Sequence, residues 1–558
     1  METRRFITAL SLSLIVFIVY MRFFAPQPQK PAVTPAQKTQ ETREATAPKA
    51  TPAAPKAKAL TVAVPKAAGR NITVETDLLR IVVNTAGGVI KAWELKDYRE
   101  ADKEEVGIGP LYRKLTSGTK KEERAKKPLG TVQLFTRYEG VDAGDIINPL
   151  TVTPLEKGMA SVSHAEYRAN MDAVQLSKEQ PTKTLILTYI GPSGIMVEKQ
   201  LTFHNDEYKV DIAVNTRKME GYTVALGTDF GISDKVSSDA SGRVGLAAYV
   251  DGKSIAEKIE SIKGEAQQAG SIEWFGLHDK YFTATMLYGS QGIVTTKRAP
   301  AAKEIGDLLS TELTVREKPE SRAFTLYAGP KKFNTLKGYG HGLEQLVDYG
   351  WFSVLAKPMF WLMTMFYSIT RNYGVAIILL TIVVRILLFY PSLKSATAME
   401  EMKAIQPQIT ALREKHKKDP AKMNQEMMRL YKEHKVNPVG GCLPMVLQLP
   451  FFVALYNVLN VSIELRQASF IPFWIKDLSI YDPFYILPIL MGASMILTMK
   501  MTSTTADPQQ AKIMMYMNVA FIFLFAWLPA GLLLYITLSN VLSIVQQLYV
   551  RKLIAGGR

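Results

Sequence analysis

The chain has 558 residues, a formal charge of +16, 47% hydrophobic residues and one cysteine. That lone Cys442 excludes an intrachain disulfide and any zinc site built on paired thiolates, and a mean hydropathy of +0.02 averages over very unlike regions, as in a membrane protein with a soluble part. The basic excess would suit nucleic acid, but Lys and Arg cluster beside apolar runs, where anionic headgroups and the positive-inside rule account for them, so DNA is not an expected partner.

The N-terminus reads METRR and then an apolar run from Phe6 to Phe24. This run is longer than a signal-peptide core, ends near Arg22 and lacks a small-x-small cleavage site, so residues 1–24 are expected to be an uncleaved anchor with a cytoplasmic start. Residues 25–70 are Pro, Ala, Thr, Gln and Lys with almost no large apolar side chain. They cannot bury enough surface to fold and should form an extended tether. From 71 to 335 the pattern becomes short alternating runs such as LLRIVV, KTLILTYI, MVEKQLTFH, YKVDIAVNT and YTVALGTDF. With turn chemistry at Gly87-Gly88, Gly191-Pro192 and His204-Asn205-Asp206, these predict one large β-sandwich. The segment IAEKIESIKGEAQQ is the exception and reads as a helix.

Residues 340–371 predict an amphipathic helix lying in the outer membrane interface rather than a span. The reason is topological. Between Lys394 and Lys435 there are 10 Lys/Arg against 6 acids, which makes that loop cytoplasmic and requires a single crossing between it and the exported sandwich. Region 372–558 then holds spans at about 373–391, 443–461, 483–499, 513–528 and 530–548, the last two separated by Pro529-Ala530-Gly531. The hairpin 394–437 has a Met-rich seam: Met399, Met402, Ile405, Ile409 and Leu412 against Met423, Met427 and Leu430. With the anchor this makes six transmembrane helices and places both ends inside.

Within 373–391 the one charge is Arg385, and the remaining spans contain no Asp or Glu. A guanidinium near mid-membrane costs roughly 2.5–3.5 kcal/mol on insertion scales, so it should face a partner, a wet cavity or the headgroups. From the residues alone, snorkelling toward the inner headgroups competes evenly with a cavity. Gln448, Asn457, Asn460 and Asn540 suit interhelical hydrogen bonds, and Cys442 suits packing. His164, His204 and His278 are scattered, with no metal-ligand spacing.

The passages TIVVRILLFYPS, KVNPVGGCLPMVLQLPFFVALY, ELRQASFIPFWIKDLSIYDPFYILPILMG and LPAGLLLYITLSNVLSIVQQ resemble the YidC/oxidase-assembly insertase family in its Gram-negative form. The resemblance implies a periplasmic supersandwich, an inner-membrane core and a non-enzymatic insertase and chaperone without cofactors. It also implies a hydrophilic groove, open to cytoplasm and lipid, around Arg385. Thr381, one turn earlier, should share the face of Arg385, with Gln448, Asn518 and Tyr535 as polar candidates for the other walls. An apolar exit surface would be formed by Leu449, Phe452, Leu524 and Phe525. The second member of the family's frequent tyrosine pair is Ile536 here. Implied partners are nascent membrane proteins, the SecYEG translocon, SecDF, the ribosome and the phospholipid bilayer. The alternative class is a secondary transporter or channel, which the absence of carboxylates in the spans disfavours.

Overall fold

The computed structural model describes residues 69–100, 130–135, 146–156, 160–191, 194–233, 244–300, 306–316, 321–416, 419–434, 436, 443–502 and 508–556. The expected anchor, nearly all of the tether and Cys442 lie outside them. The β-region has a 5-stranded and a 12-stranded sheet that share one core. Its logic is period-two burial: in Met196–His204, Val197, Lys199, Leu201 and Phe203 all point inward. Trp93 of strand Val89–Arg99, in the smaller sheet, crosses to the larger one and donates its indole N–H to the Ala328 carbonyl at 3.1 Å. The turn Gly87-Gly88 takes positive φ at both residues, a conformation open to glycine without strain.

The expected helix at IAEKIESIKGEAQQ is a correction. Lys253–Lys258 is a strand paired with Gly245–Val250, and Glu265–His278 is a strand paired with Phe282–Ala299. Ile255, Ile259 and Ile262 fall at helical spacing, but Ile259 and Ile262 are buried in and just after a single 3₁₀ turn between the strands. Non-local pairing overrides the local pattern.

Ten helices follow among the described residues. Helix α1 (Phe333–Tyr339) and helix α2 (Ser353–Thr370) lead from the sandwich. Helix α2 buries Ala356, Met359, Phe360 and Met363 and leaves Val354, Trp361 and Ile369 exposed. Both of its sides are therefore largely apolar. Helix α3 (Tyr373–Leu387) is capped by Asn372, whose side chain accepts from the Gly374 and Val375 amides. At Leu388 the chain bends by 64° into α4 (Phe389–Ala404), so the helix expected over about 373–391 stops at Leu387. Pro391 explains the break, because its ring excludes the carbonyl of Leu387 and it has no N–H to donate.

Helices α5 (Gln406–Lys415) and α6 (Pro420–Glu433) form a helical hairpin closed by Met402, Ile405, Ile409 and Val436, with Met427, Leu430 and Tyr431 packed on them. Then come α7 (Leu443–Val461), α8 (Ile486–Thr502), α9 (Pro508–Phe525) and α10 (Ala530–Gly556). Helix α8 starts three residues later than expected, after a turn in which the Asp482 side chain accepts from the Phe484 and Leu487 amides. Within α10, Ala530–Lys552 is the one stretch among the described residues that is long and apolar enough alone to cross a membrane. Helices α3 and α4 pass that test only as a bent pair, and Leu447–Val461 and Ile486–Met501 are apolar but shorter.

Candidate functional site

Arg385 lies in the last turn of α3, on a helix whose other side packs through Ala376, Ile377, Leu380 and Val384. Its guanidinium is partly buried and donates to the Ser539 carbonyl of α10 at 2.5 Å. It also reaches the Gln448 side-chain oxygen of α7 at 3.4 Å, the outer limit of a hydrogen bond. Tyr535, one turn before Ser539, is buried with its phenol set against Gln448, Ser539 and the guanidinium. No ion pair involves Arg385 among the described residues, and Tyr535 is the ionisable group that acts on it. Beside the charge, Ile382, Val383, Ile386 and Leu387 are exposed. A cation held mainly by one carbonyl, at the edge of an open apolar surface, keeps most of its five donors available.

Of the candidates read from the sequence, Arg385, Gln448 and Tyr535 come together. Thr381 sits on α3 but is fully buried, and its hydroxyl donates to the Ile377 carbonyl of its own helix at 2.6 Å. Asn518 is on α9 and donates to the Met499 sulfur of α8 at 3.1 Å, away from the guanidinium's partners. Ser539 was not among the candidates. It lies four residues after Tyr535, on the same helix face, but what it offers Arg385 is its backbone carbonyl, for which side-chain spacing held no signal. Among the described residues no three His, Cys, Asp or Glu side chains gather as metal ligands.

Comparison with known proteins identifies the family. Residues 125–362 match the YidC periplasmic domain model and residues 365–556 the 60Kd inner membrane protein model. A membrane protein insertase YidC from Geobacter metallireducens is 35% identical over 99% of both chains. The chain belongs to the YidC membrane protein insertase family. A second YidC insertase, from Syntrophus aciditrophicus, is also 35% identical, over 87% of this chain and 85% of its own. A crystal structure of an active YidC insertase with its first transmembrane domain resolved aligns at 18% identity and a TM-score of 0.36, covering 85% of this chain and 92% of the other. YidC is an inner-membrane family with a periplasmic domain, and 125–362 is that domain here.

The exit-surface candidates of this YidC family member divide in two. Leu449 of α7 and Leu524 of α9 are 52% and 63% exposed. Phe452 packs against the main core, and Phe525 does so while stacking on Phe521 at 5.4 Å between centroids. Where α4, α8 and α10 meet, Lys403 and Arg551 share Glu400, and both donate to the Met501 carbonyl near the end of α8. Burial of Glu400 works against its charge, but those two cations win and hold its carboxyl below the usual range. The result ties α4, α8 and α10 together where positive side chains also suit a helix C-terminus.

Proposed function

We propose that the Arg385 cluster is where this insertase receives the hydrophilic flank of an incoming membrane protein, while that protein's apolar helix leaves sideways into lipid. The single observation behind this reading is the guanidinium itself: poorly satisfied, without a carboxylate, and bordered by exposed apolar side chains. An acidic substrate residue arriving within ~4 Å would gain about 4 kcal/mol at an effective dielectric near 20, comparable with the cost of crossing hydrocarbon unaided. The driving force is burial of the substrate helix at roughly 25 cal/mol per Å² removed from water, so no nucleotide is required. Leu449 and Leu524, with Phe452 and Phe525 behind them, would offer the departing helix an apolar path.

In the same reading the protein has six spans, with both termini in the cytoplasm and the sandwich in the periplasm. The α5–α6 hairpin lies in the cytoplasm, where flexible Met side chains and positive charge would meet unfolded apolar segments and the ribosome. Work alone or beside the SecYEG translocon and SecDF belongs to the same proposal. The test is reconstitution into liposomes with a single-span substrate bearing an acidic exported tail. Arg385→Glu should abolish its insertion and Arg385→Lys should retain most of it. Equal rates for Arg385→Glu and the parent would refute the electrostatic role.

A further inference from the structure

The loop between α7 and α8, residues 462–485, touches the outer ends of the three helices that carry the Arg385 cluster. Helix α7, with Gln448, runs directly into it. Helix α3, with Arg385, is held at its start: the Asn372 side-chain Nδ2 donates to the Phe470 carbonyl at 3.0 Å. The Phe470 ring presses on Gly374 so closely that a Cβ there would lie 2.0 Å from it. Helix α10, with Tyr535 and Ser539, is held too, since the Ala530 and Gly531 amides donate to the Ile480 and Leu478 carbonyls at 2.6 and 3.0 Å. Asp482, fully buried, stiffens the loop by accepting from the Trp474 indole at 2.8 Å and from the Leu487 amide of α8 at 2.7 Å.

This hub is itself fastened to the sandwich. Arg466 donates to the Arg99 carbonyl, at the end of strand Val89–Arg99, at 2.6 Å. Its guanidinium lies 5.9 Å from the Tyr281 ring centroid and 5.4 Å from that of Phe282, where the last long hairpin of the sandwich begins. Gln467 adds bonds at 3.3 Å to the Arg99 and Glu100 carbonyls, and the half-buried Glu464 carboxyl is within the field of Lys332, just past the final strand. A flat guanidinium can donate in its plane while its face covers two rings.

We infer that Arg466 is a positioning residue for insertion: it seats the α7–α8 loop on the sandwich, and the sandwich thereby sets the spacing of the three helices that surround Arg385. This rests on the reading of the Arg385 cluster given above and adds a task for the β-domain. The experiment uses the full chain in liposomes, in a Cys442→Ser background, with spin labels at the exposed positions Leu387 on α3 and Val545 on α10. Arg466→Ala should broaden the interspin distance distribution and slow single-span insertion roughly tenfold, the scale of one lost charged hydrogen bond. Arg466→Lys keeps the charge but not the flat face and should restore only a minor part of both, while the unfolding midpoint in detergent stays near the parent's in either variant. Tyr281→Leu, on the sandwich side, should reproduce the broadening and be less than additive with Arg466→Ala; it also serves if Arg466→Ala fails to fold. An unchanged distribution in these variants would overturn the inference. Broadening with normal insertion would uphold the latch and instead remove the Arg385 cluster from the substrate path.

Discussion

Each half of this molecule takes a cation out of water, and the two solutions differ. In the sandwich, Lys199 is 1% exposed and occupies an inward position of an alternating strand. Its ammonium donates to the Gly87, Gly88 and Leu150 carbonyls at 2.8, 3.0 and 2.7 Å and lies 4.8 Å from the Tyr167 ring centroid. All three N–H bonds are used and the site is sealed. In the helical core, Arg385 has one good acceptor, one marginal one and an open flank. The first arrangement is that of a fastener joining a turn of one sheet to a strand of the other. The second, in the function proposed above, is that of a charge left for a substrate to satisfy. Burial alone therefore does not mark a functional cation; unused hydrogen-bonding capacity does.

Four measurements sharpen or break this contrast. Lys199→Met should destabilise the sandwich by about 3 kcal/mol, because three carbonyls lose their donor inside the core. Denaturant unfolding of the full chain in detergent reads this, and a change under about 0.5 kcal/mol would put Lys199 in the same class as Arg385. Arg385→Ala should do the reverse, leaving the unfolding midpoint nearly unchanged while insertion of an acidic-tailed substrate falls about tenfold, equivalent to ~1.4 kcal/mol.

The third measurement is the pH dependence of stability. Burial pushes the Lys199 pKa down to about 7, whereas in the unfolded chain a lysine titrates at about 10.4. Between those values the unfolded state binds the proton and the folded state does not, so stability should rise with pH from about 7 to about 10 and level off below. Lys199→Met should remove that slope; an identical slope in the variant would assign it elsewhere. Smallest of all, Gln448→Leu should slow insertion only about two- to threefold, since a 3.4 Å contact is weak. A loss as large as that of Arg385→Ala would mean that Gln448 holds the charge in place.

The sequence made much of this legible where one physical rule acts alone. Strands such as Met196–His204 were readable because one face is buried and the other is not. Helix α7 fell where apolar density placed it, at Leu443–Val461. Arg385 stood out because no other charge interrupts its span. Spacing could not say where short polar side chains spend their hydrogen bonds. Thr381 has the right offset from Arg385, but in an apolar setting its hydroxyl turns back on its own helix. Ser539 contributes a backbone carbonyl, which no side-chain pattern reveals. Lys199 did carry a signal, a charge in the inward register of MVEKQLTFH, although its acceptors come from the distant residues 87, 88 and 150.

The apolar core running without a break from Ile72 through Leu336, Leu343, Tyr349 and Phe360 to Tyr535 bears on how the soluble half should be produced by itself. Cutting at residue 335, where composition changes, would sever α1 and remove the fully buried Leu336, uncovering the apolar surface of the sandwich that it packs against. Such a fragment should be sticky and prone to self-association, and an inactive or misbehaving preparation would then report on the scissors rather than on the domain.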